Sequence, residues 1–565
     1  MNPNRKTYLI MKKIFSLITF SLVFLSCVSQ NKTTAPNTAI TNIETSSKPK
    51  LVVGIVVDQM RYDYLTRFES KFGEGGFKRM MREGFNCKNN HFNFVPTYTG
   101  PGHASVFTGT TPKYNGIIGN NWYDKEVKEM VYCAGDDNVE PVGTKDKAGK
   151  MSPHRMQTTT FGDENRLFTQ MRGKTIGISL KDRGAILPAG HTANAAYWFH
   201  GSDEGVWITS SFYMDTLPKW VANFNTSKTV ESYLKVWNTV YDISTYTESG
   251  ADDNMFEGGF RGQEKATFPY DLKALSKANR GFDILKATPY GNSLTTDFAM
   301  AAIKGEDLGS DSTTDLLTVS FSSTDYVGHN FGVNSKEIED TYIRLDKDLE
   351  RFFLYLDTTV GKGEYTVFLT ADHGAVNVPS YLKSVKIPAG YTNNAARKLK
   401  FQEFLSKKFG TKDIIENISN NQIFLDRKKV EVLGLNLTDV QNAIVNEQIN
   451  YDNVSKVYSA TTMNTTNFTT GIEALLQNGF NQKRSGDVIL VDDIAFIGYS
   501  KTGSTHGSGL NYDTHVPLLF FGKGIKHGET YNKTVIPDIA PTISALLGIS
   551  FPNGSTGKPL GFIID

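Results

Sequence analysis

Eight side chains with the chemistry to bind or attack an electrophile stand just beyond apolar stretches of this sequence. "GIVVD" ends at Asp58, and "VSFSSTDYVGH" reaches Asp325 and, four residues on, His329. "FLTADHG" carries Asp372 and His373, and "STHGS" carries His506. "FVPTYTGPGHASVFTG" sets Thr97 and Thr99 just ahead of a proline and a helix-compatible run. Singly, each has an ordinary explanation: an Asp at a strand end forms turns or caps helices, and a lone His is usually a hydrogen-bonded structural residue. Three Asp and three His at four predicted strand ends are a different matter, because a mixed imidazole and carboxylate set suits Zn²⁺, with Mn²⁺, Fe²⁺ or Co²⁺ as alternatives. Six protein ligands exceed the need of one tetrahedral zinc, whereas two metals with open positions use them naturally.

The threonines admit two readings at this point. Either Thr97 or Thr99 caps the helix that starts near Pro101, since Thr is a good N-cap and Pro suits the first turn. Or the hydroxyl faces free N–H groups and the positive end of the helix dipole, where a metal would turn it into an alkoxide nucleophile. "SLKDR" read as a strand puts Lys181 and Arg183 on one face and Asp182 on the other. It is equally readable as a solvated charge pair.

What must position these groups is an alternation of strands and helices. "LVVGIVVDQ" from Leu51 is a continuous apolar, β-branched run, as for a strand buried on both faces. "GGFKRMMREG" reads as a short helix. "KTIGISLK", "DLLTVSFSS", "YTVFLTADHG", "GDVILV" and "VPLLFFG" read as further strands, 336–356 as a long amphipathic helix, and "PDIAPTISALLG" as a helix closed by glycine. The class is α/β, a mostly parallel sheet flanked by helices on both faces, with ligands expected beyond the carboxyl ends of its strands.

The expected organisation is 51–187, 291–375 and 487–565 as three parts of one core, interrupted by a loop-rich insertion at 188–290 and a small α/β lobe at 376–486. The insertion holds four of the five tryptophans, and the lobe shows helix, strand, helix and strand patterns. A chain of 565 residues is too long for one compact core, so such insertions are natural. A formal net charge of +1 gives no global field toward nucleic acid or an anionic surface. Ahead of the core, 1–27 reads as an export signal with basic Lys12 and Lys13, an apolar run and then Cys27, with Met11 as an alternative start. Cys27 stands where a bacterial lipoprotein signal places its lipidated residue, while Phe24 stands where that pattern prefers leucine. Lipid anchoring through Cys27 and simple cleavage nearby are both open, and 28–50 is a flexible tether. The expected location is the periplasm, the outer membrane or the medium. Cys87 and Cys133 are the remaining cysteines, a pair in an oxidising compartment if they meet.

The stretches "VVDQMRYDYL", "PTYTGPGHASVFTGTTPKYNGIIGN", "SLKDR", "STDYVGH", "TADHG" and "THGSGLNYDTHVPLLFFG" together resemble the alkaline phosphatase superfamily, and within it the single-threonine bacterial phosphatases of the PafA type. The resemblance runs from Leu51 to the C-terminus. It implies two Zn²⁺ per subunit, one held by Asp325, His329 and His506, the other by Asp58, Asp372, His373 and the nucleophile Thr99. It implies that Asn120, Lys181 and Arg183 hold phosphoryl oxygens, that the substrates are small phosphate monoesters, and that a phosphothreonine forms. Asn115 stands where many relatives carry histidine, outside the implied ligand set, and His515 in "YDTHVP" reads as structural. "TGPGH" lacks the Cys/Ser-x-Pro-x-Arg pattern of a sulfatase, and a cytosolic mutase sits poorly with an export signal. A phosphodiesterase or nucleotide pyrophosphatase shares the metals and Thr99 and is the alternative, and a non-catalytic phospho-ligand binder would lack a ligand or the nucleophile. A monomer is expected.

Overall fold

The computed structural model describes residues 48–565. The export signal, Cys27 and the tether up to position 47 lie outside the described residues. A ten-stranded sheet forms the frame, its middle built from β1 (Leu51–Val57), β2 (Thr175–Ser179), β3 (Ala195–His200), β4 (Val206–Ser210), β5 (Asp315–Phe321), β6 (Tyr365–Thr370) and β7 (Leu518–Gly522). The spatial order is β7-β6-β1-β5-β2-β3-β4. The short strands Phe85–Cys87 and Gly528–Thr530 extend it beyond β7, and Pro141–Val142 extends it beyond β4. β6, β1, β5, β2 and β3 run parallel, and β7 and β4 pair antiparallel at the flanks of that block.

Every residue of β1, β5 and β6 is buried, which is why these strands read as unbroken apolar runs and not as alternating ones. Their register brings Val57 beside Phe321 and Val56 beside Thr370, so the three strands end almost level. Of the helices that pack on this sheet, four matter most for the site: α1 (Thr99–Thr108), α2 (Asp182–Ala189), α3 (Ser323–Phe331) and α4 (Lys336–Leu356). α4 occupies the span its periodicity predicts, and its N-cap Ser335 accepts from Ile338 N.

Four expectations change here. The tryptophan-rich stretch contributes β3 and β4 to the central sheet, because its apolar residues 195–200 continue the parallel block beside β2. "GDVILV" (Val488–Asp492) pairs with Gln422–Leu425 and Val454–Ser459 in a separate four-stranded sheet. There it packs with Phe401, Leu405, Val440 and Ile444 from the helices Asn394–Phe409 and Leu437–Gln448. Cys87 and Cys133 are both buried and free, so neither contributes a covalent link. "SLKDR" is a strand-to-helix turn: β2 stops at Ser179 and α2 starts at Asp182, with Lys181 as its N-cap residue.

The four-stranded lobe touches the body beside Asn120. Asn420 Nδ2 donates to Asn121 O at 2.6 Å, and Tyr123 packs edge-on against Phe424 at 5.3 Å between centroids.

Candidate active site

Parallel strands deliver their carboxyl ends to one edge of the sheet, and the candidate residues collect there. Asp58 follows β1 directly. Asp372 lies two residues past β6 and His373 follows it. Asp325 and His329 are not at a strand end but one helical turn apart on α3, the i and i+4 positions that share a helix face. His506 comes from the loop before β7, and Lys181 and Arg183 from the β2–α2 turn.

Thr99 is the first residue of α1 and caps nothing. The N-cap residue is Tyr98, and no side chain supplies the cap hydrogen bond. Thr97 uses its hydroxyl on Ser508 O. The Thr99 hydroxyl is buried and stands 3.5 Å from His373 Nε2, with Arg183 Nη2 donating to it from 3.5 Å. Asn120 Oδ1 accepts from Gly100 N at 2.7 Å, which leaves its amide N–H₂ as the remaining donor at the helix start. The helix can approach the Asp372 turn because residue 102 is glycine; a Cβ there would lie 2.3 Å from Asp372 O.

Two sets of ligand-capable atoms crowd together: Asp58, Asp372 and His373, and Asp325, His373 and His506. His329 Nε2 joins the second at 3.2 Å from Asp325 Oδ1, and His506 Nε2 lies 3.6 Å from the same oxygen. His373 Nε2 is 3.5 Å from Asp58 Oδ1 and 3.4 Å from Asp372 Oδ2. The three imidazoles are oriented alike. His329 Nδ1 contacts Ser504 O at 2.7 Å, His506 Nδ1 contacts Thr97 O at 2.8 Å, and His373 Nδ1 contacts Gly374 O at 3.0 Å. A carbonyl only accepts, so the proton sits on Nδ1 and each Nε2 presents a lone pair to the cluster. Asp58 Oδ1 and Asp372 Oδ2 are buried with no hydrogen-bond partner. Uncompensated carboxylate oxygens facing imidazole lone pairs are the donor set a divalent cation satisfies, and these residues fit one.

Burial holds the His373 imidazole below its ordinary range, and burial with neighbouring His373 does the same to His506, so both favour the neutral form that ligation requires. Asp58 is pushed well up by burial and then by Asp372, since two carboxylates compete for one desolvated space. At Asp325 burial also raises, but His329 and Lys181 overcome it and the carboxyl sits well below its usual range. Lys181 Nζ explains part of this: it donates to Asp58 Oδ2 at 2.7 Å and to Asp325 Oδ2 at 2.5 Å, one oxygen from each set. Arg183 is half-buried, and Tyr132 and Asp182 outweigh the cost of desolvation, holding its guanidinium well above its ordinary range.

All ten residues named from the sequence thus lie at this edge or within one contact of it. Three others were not assigned from sequence. Gln59, at φ 64°, donates its main-chain N–H to Asp372 Oδ1 at 3.1 Å and its amide to Asp325 Oδ1 at 2.7 Å, so it ties the two sets together. His103 places Nδ1 2.9 Å from Thr99 O and 3.3 Å from Asp372 Oδ2, and Nε2 2.8 Å from Ser320 Oγ. Asp513 accepts from Gly507 N, Ser508 N and Ser508 Oγ, fixing the loop that carries His506. His103 was findable as the residue one helical turn after Thr99 and Gln59 as the neighbour of Asp58, while Asp513 offered no local signal. His515 stays outside the cluster, stacked on Tyr62 and His91 with Nε2 2.9 Å from Lys88 O.

Comparison with known proteins places the chain among relatives. The family model for type I phosphodiesterase / nucleotide pyrophosphatase matches residues 52–516. Alkaline phosphatase PafA of Elizabethkingia meningoseptica is 46% identical over 92% of this chain and 95% of that protein. A protein of Myroides odoratus named calcium-transporting ATPase is 45% identical over 93% of this chain and 97% of that protein. The crystal structure of wild-type PafA superposes with a TM-score of 0.88 at 45% identity, covering 92% of this chain and 99% of that one. The chain therefore belongs to the type I phosphodiesterase / nucleotide pyrophosphatase family and, within the alkaline phosphatase superfamily, to the PafA-type alkaline phosphatases.

Proposed function

We propose that this alkaline phosphatase hydrolyses small phosphate monoesters to inorganic phosphate through a phosphothreonine at Thr99. The carrying observation is the placement of the buried Thr99 hydroxyl at a helix start, 3.5 Å from His373 Nε2 and 3.5 Å from Arg183 Nη2, beside two cation-ready carboxylate and imidazole sets. In the first step the Thr99 oxygen bonds to phosphorus as the bond to the ester oxygen breaks and the alcohol departs. In the second, water displaces Thr99 and phosphate leaves.

The dipole and free N–H groups of the first turn of α1 face the transferred group. Arg183, anchored through Tyr132, and Lys181 supply positive charge to its non-bridging oxygens, and the Asn120 amide donates to them. Two Zn²⁺, held by Asp325, His329 and His506 and by Asp58, Asp372, His373 and Thr99, would supply Lewis-acid charge at the attacking and leaving oxygens. Every group comes from one chain, so the site needs no second copy.

Arg183 aimed at Thr99, with the Lys181 charge beside it, favours a monoester, which carries one more negative charge than a diester. The description of the matching family favours the phosphodiesterase reading, which uses the same nucleophile. Hydrolysis of p-nitrophenyl phosphate against bis-p-nitrophenyl phosphate decides between them. We expect the monoester to be faster, and a faster diester overturns the assignment. Among the described residues no helix is long and apolar enough to cross a membrane. Export, with or without a lipid on Cys27, is our reading of residues 1–27, tested by mass spectrometry of the mature N-terminus.

A further inference from the structure

The reacting centre is closed on most sides. Asp58, Thr99, Lys181, Asp372 and His373 are all buried. The imidazole with appreciable access to solvent is that of His329, whose side chain is 26% exposed, against 0% for His373 and 6% for His506. Of the three imidazoles, His329 therefore marks where the cluster meets solvent, one side on which a group attached to a phosphoryl held at Thr99 can extend.

Tyr499 lies against that imidazole. The two rings stack with centroids 5.5 Å apart at 29°, and Tyr499 Oη donates to His329 O at 3.3 Å. One face of the phenol is thereby taken, yet Tyr499 remains 39% exposed, so its other face is open. The segment that carries it is fixed on both sides of α3. Gly503 N donates to Phe256 O at 2.9 Å and Ser504 N to His329 O at 3.3 Å. Gly503 has φ 73°, and a Cβ there would lie 2.0 Å from His329 O, so only glycine permits this closeness. A ring held in place beside the exit of a charged pocket, with one face free, is a platform for a flat apolar group.

We propose that Tyr499 is a specificity-determining residue, stacking on the aromatic portion of the alcohol that leaves from a phosphate monoester. The substrate class it selects is monoesters whose leaving group carries a ring near the ester oxygen. This rests on the monoesterase reading for its substrates, not for the existence of the platform.

The test compares 2-phenylethyl phosphate with ethyl phosphate, whose leaving oxygens have like basicity and which differ by one ring. In Tyr499→Ala, kcat/KM for the phenylethyl ester should fall by about 2- to 12-fold, the effect of one aromatic pair, while ethyl phosphate changes less than about 2-fold. Tyr499→Phe should keep the wild-type ratio. An equal loss on both esters would mean that Tyr499 acts only through His329, and no change on either would mean that no ring stacks there; both overturn the proposal. Calorimetry with 3-phenylpropylphosphonate against propylphosphonate reads the same contrast without turnover. The platform thus stands or falls separately from the monoesterase reading: a wild type that favours diesters yet binds the phenyl phosphonate more tightly, with the gain lost in Tyr499→Ala, retains the platform.

Discussion

Arg183 Nη2 points at Thr99 Oγ1 from 3.5 Å, and the same guanidinium donates through Nη1 to Tyr132 Oη at 3.1 Å. Tyr132 Oη in turn donates to Asp182 Oδ1, which also accepts from Arg183 N. The cation facing the hydroxyl is therefore braced by its own neighbour in sequence and by a half-buried phenol, at the turn where β2 becomes α2.

Removing the hydroxyl should remove the reaction. Thr99→Ala is expected to lose about 10³-fold or more in kcat, and Thr99→Ser to lose less because an oxygen remains. Intact-protein mass spectrometry of acid-quenched wild type should show one added phosphoryl group, absent from Thr99→Ala. Undiminished turnover by Thr99→Ala excludes the residue as nucleophile.

The two cations should discriminate by substrate charge. Lys181→Ala and Arg183→Ala are each expected to lower monoester kcat/KM by about 10²- to 10³-fold and diester kcat/KM by clearly less. Equal losses on both substrate classes would show that neither residue faces the non-bridging oxygens. Lys181 also neutralises one oxygen of Asp58 and one of Asp325, so its loss leaves both sets more negative, and metal content should not fall with the monoester activity.

Chelation should abolish activity reversibly. Metal analysis of the purified protein is expected to give two zinc per chain, falling in Asp58→Asn and in His506→Ala. Full metal content in both variants, or full activity after exhaustive chelation, would show that the orphaned Asp58 and Asp372 oxygens have another purpose.

His103 acts behind the nucleophile, within 3.3 Å of Asp372 Oδ2 and within hydrogen-bond distance of Thr99 O. If Asp372 ligates a cation as we propose, replacement of its outer partner His103 by Ala should cost about 10- to 100-fold in metal affinity or activity. Added zinc should restore part of the activity of His103→Ala but none of that of Thr99→Ala, and rescue of neither would place His103 in folding instead.

A pH dependence of stability follows from a buried carboxyl pair outside the two ligand-capable sets. Glu337, on the first turn of α4, accepts from Tyr270 Oη at 2.5 Å, yet its Oε2 and that of Glu257 are buried without partners. Burial raises both carboxyls above their ordinary range, and Glu337 raises Glu257 further. The folded state therefore keeps protons that the unfolded chain releases, and the stability these groups give at acid pH is lost as pH climbs through the raised folded values. The Tm should fall between about pH 6 and about pH 9, and Glu257→Gln should flatten that fall. Parallel profiles for the two proteins would assign the titration elsewhere.

The sequence displayed the strands and the ligand types well because both are local properties. β1, β5 and β6 are buried on two faces, and an unbroken β-branched run ending in Asp cannot be mistaken for an amphipathic element. What it hid is what depends on chain path. "SLKDR" alternates like a strand, but the chain turns into α2 after Lys181, and only the packing of α2 against β2 settles that. Val488–Asp492 has the composition of a central strand and finds partners in the lobe sheet instead. Gln59 acts through hydrogen bonds to residues far along the chain, and Asp513 through a loop that folds back onto it, relationships that no side-chain periodicity encodes.

The residues of the two ligand-capable sets extend from position 58 to position 506. A nascent polypeptide accordingly holds at most local pairs, Asp325 with His329 and Asp372 with His373, and neither complete set until strands distant in sequence have docked. Any cation these sets take up would then come from the ion pool of the compartment in which folding finishes.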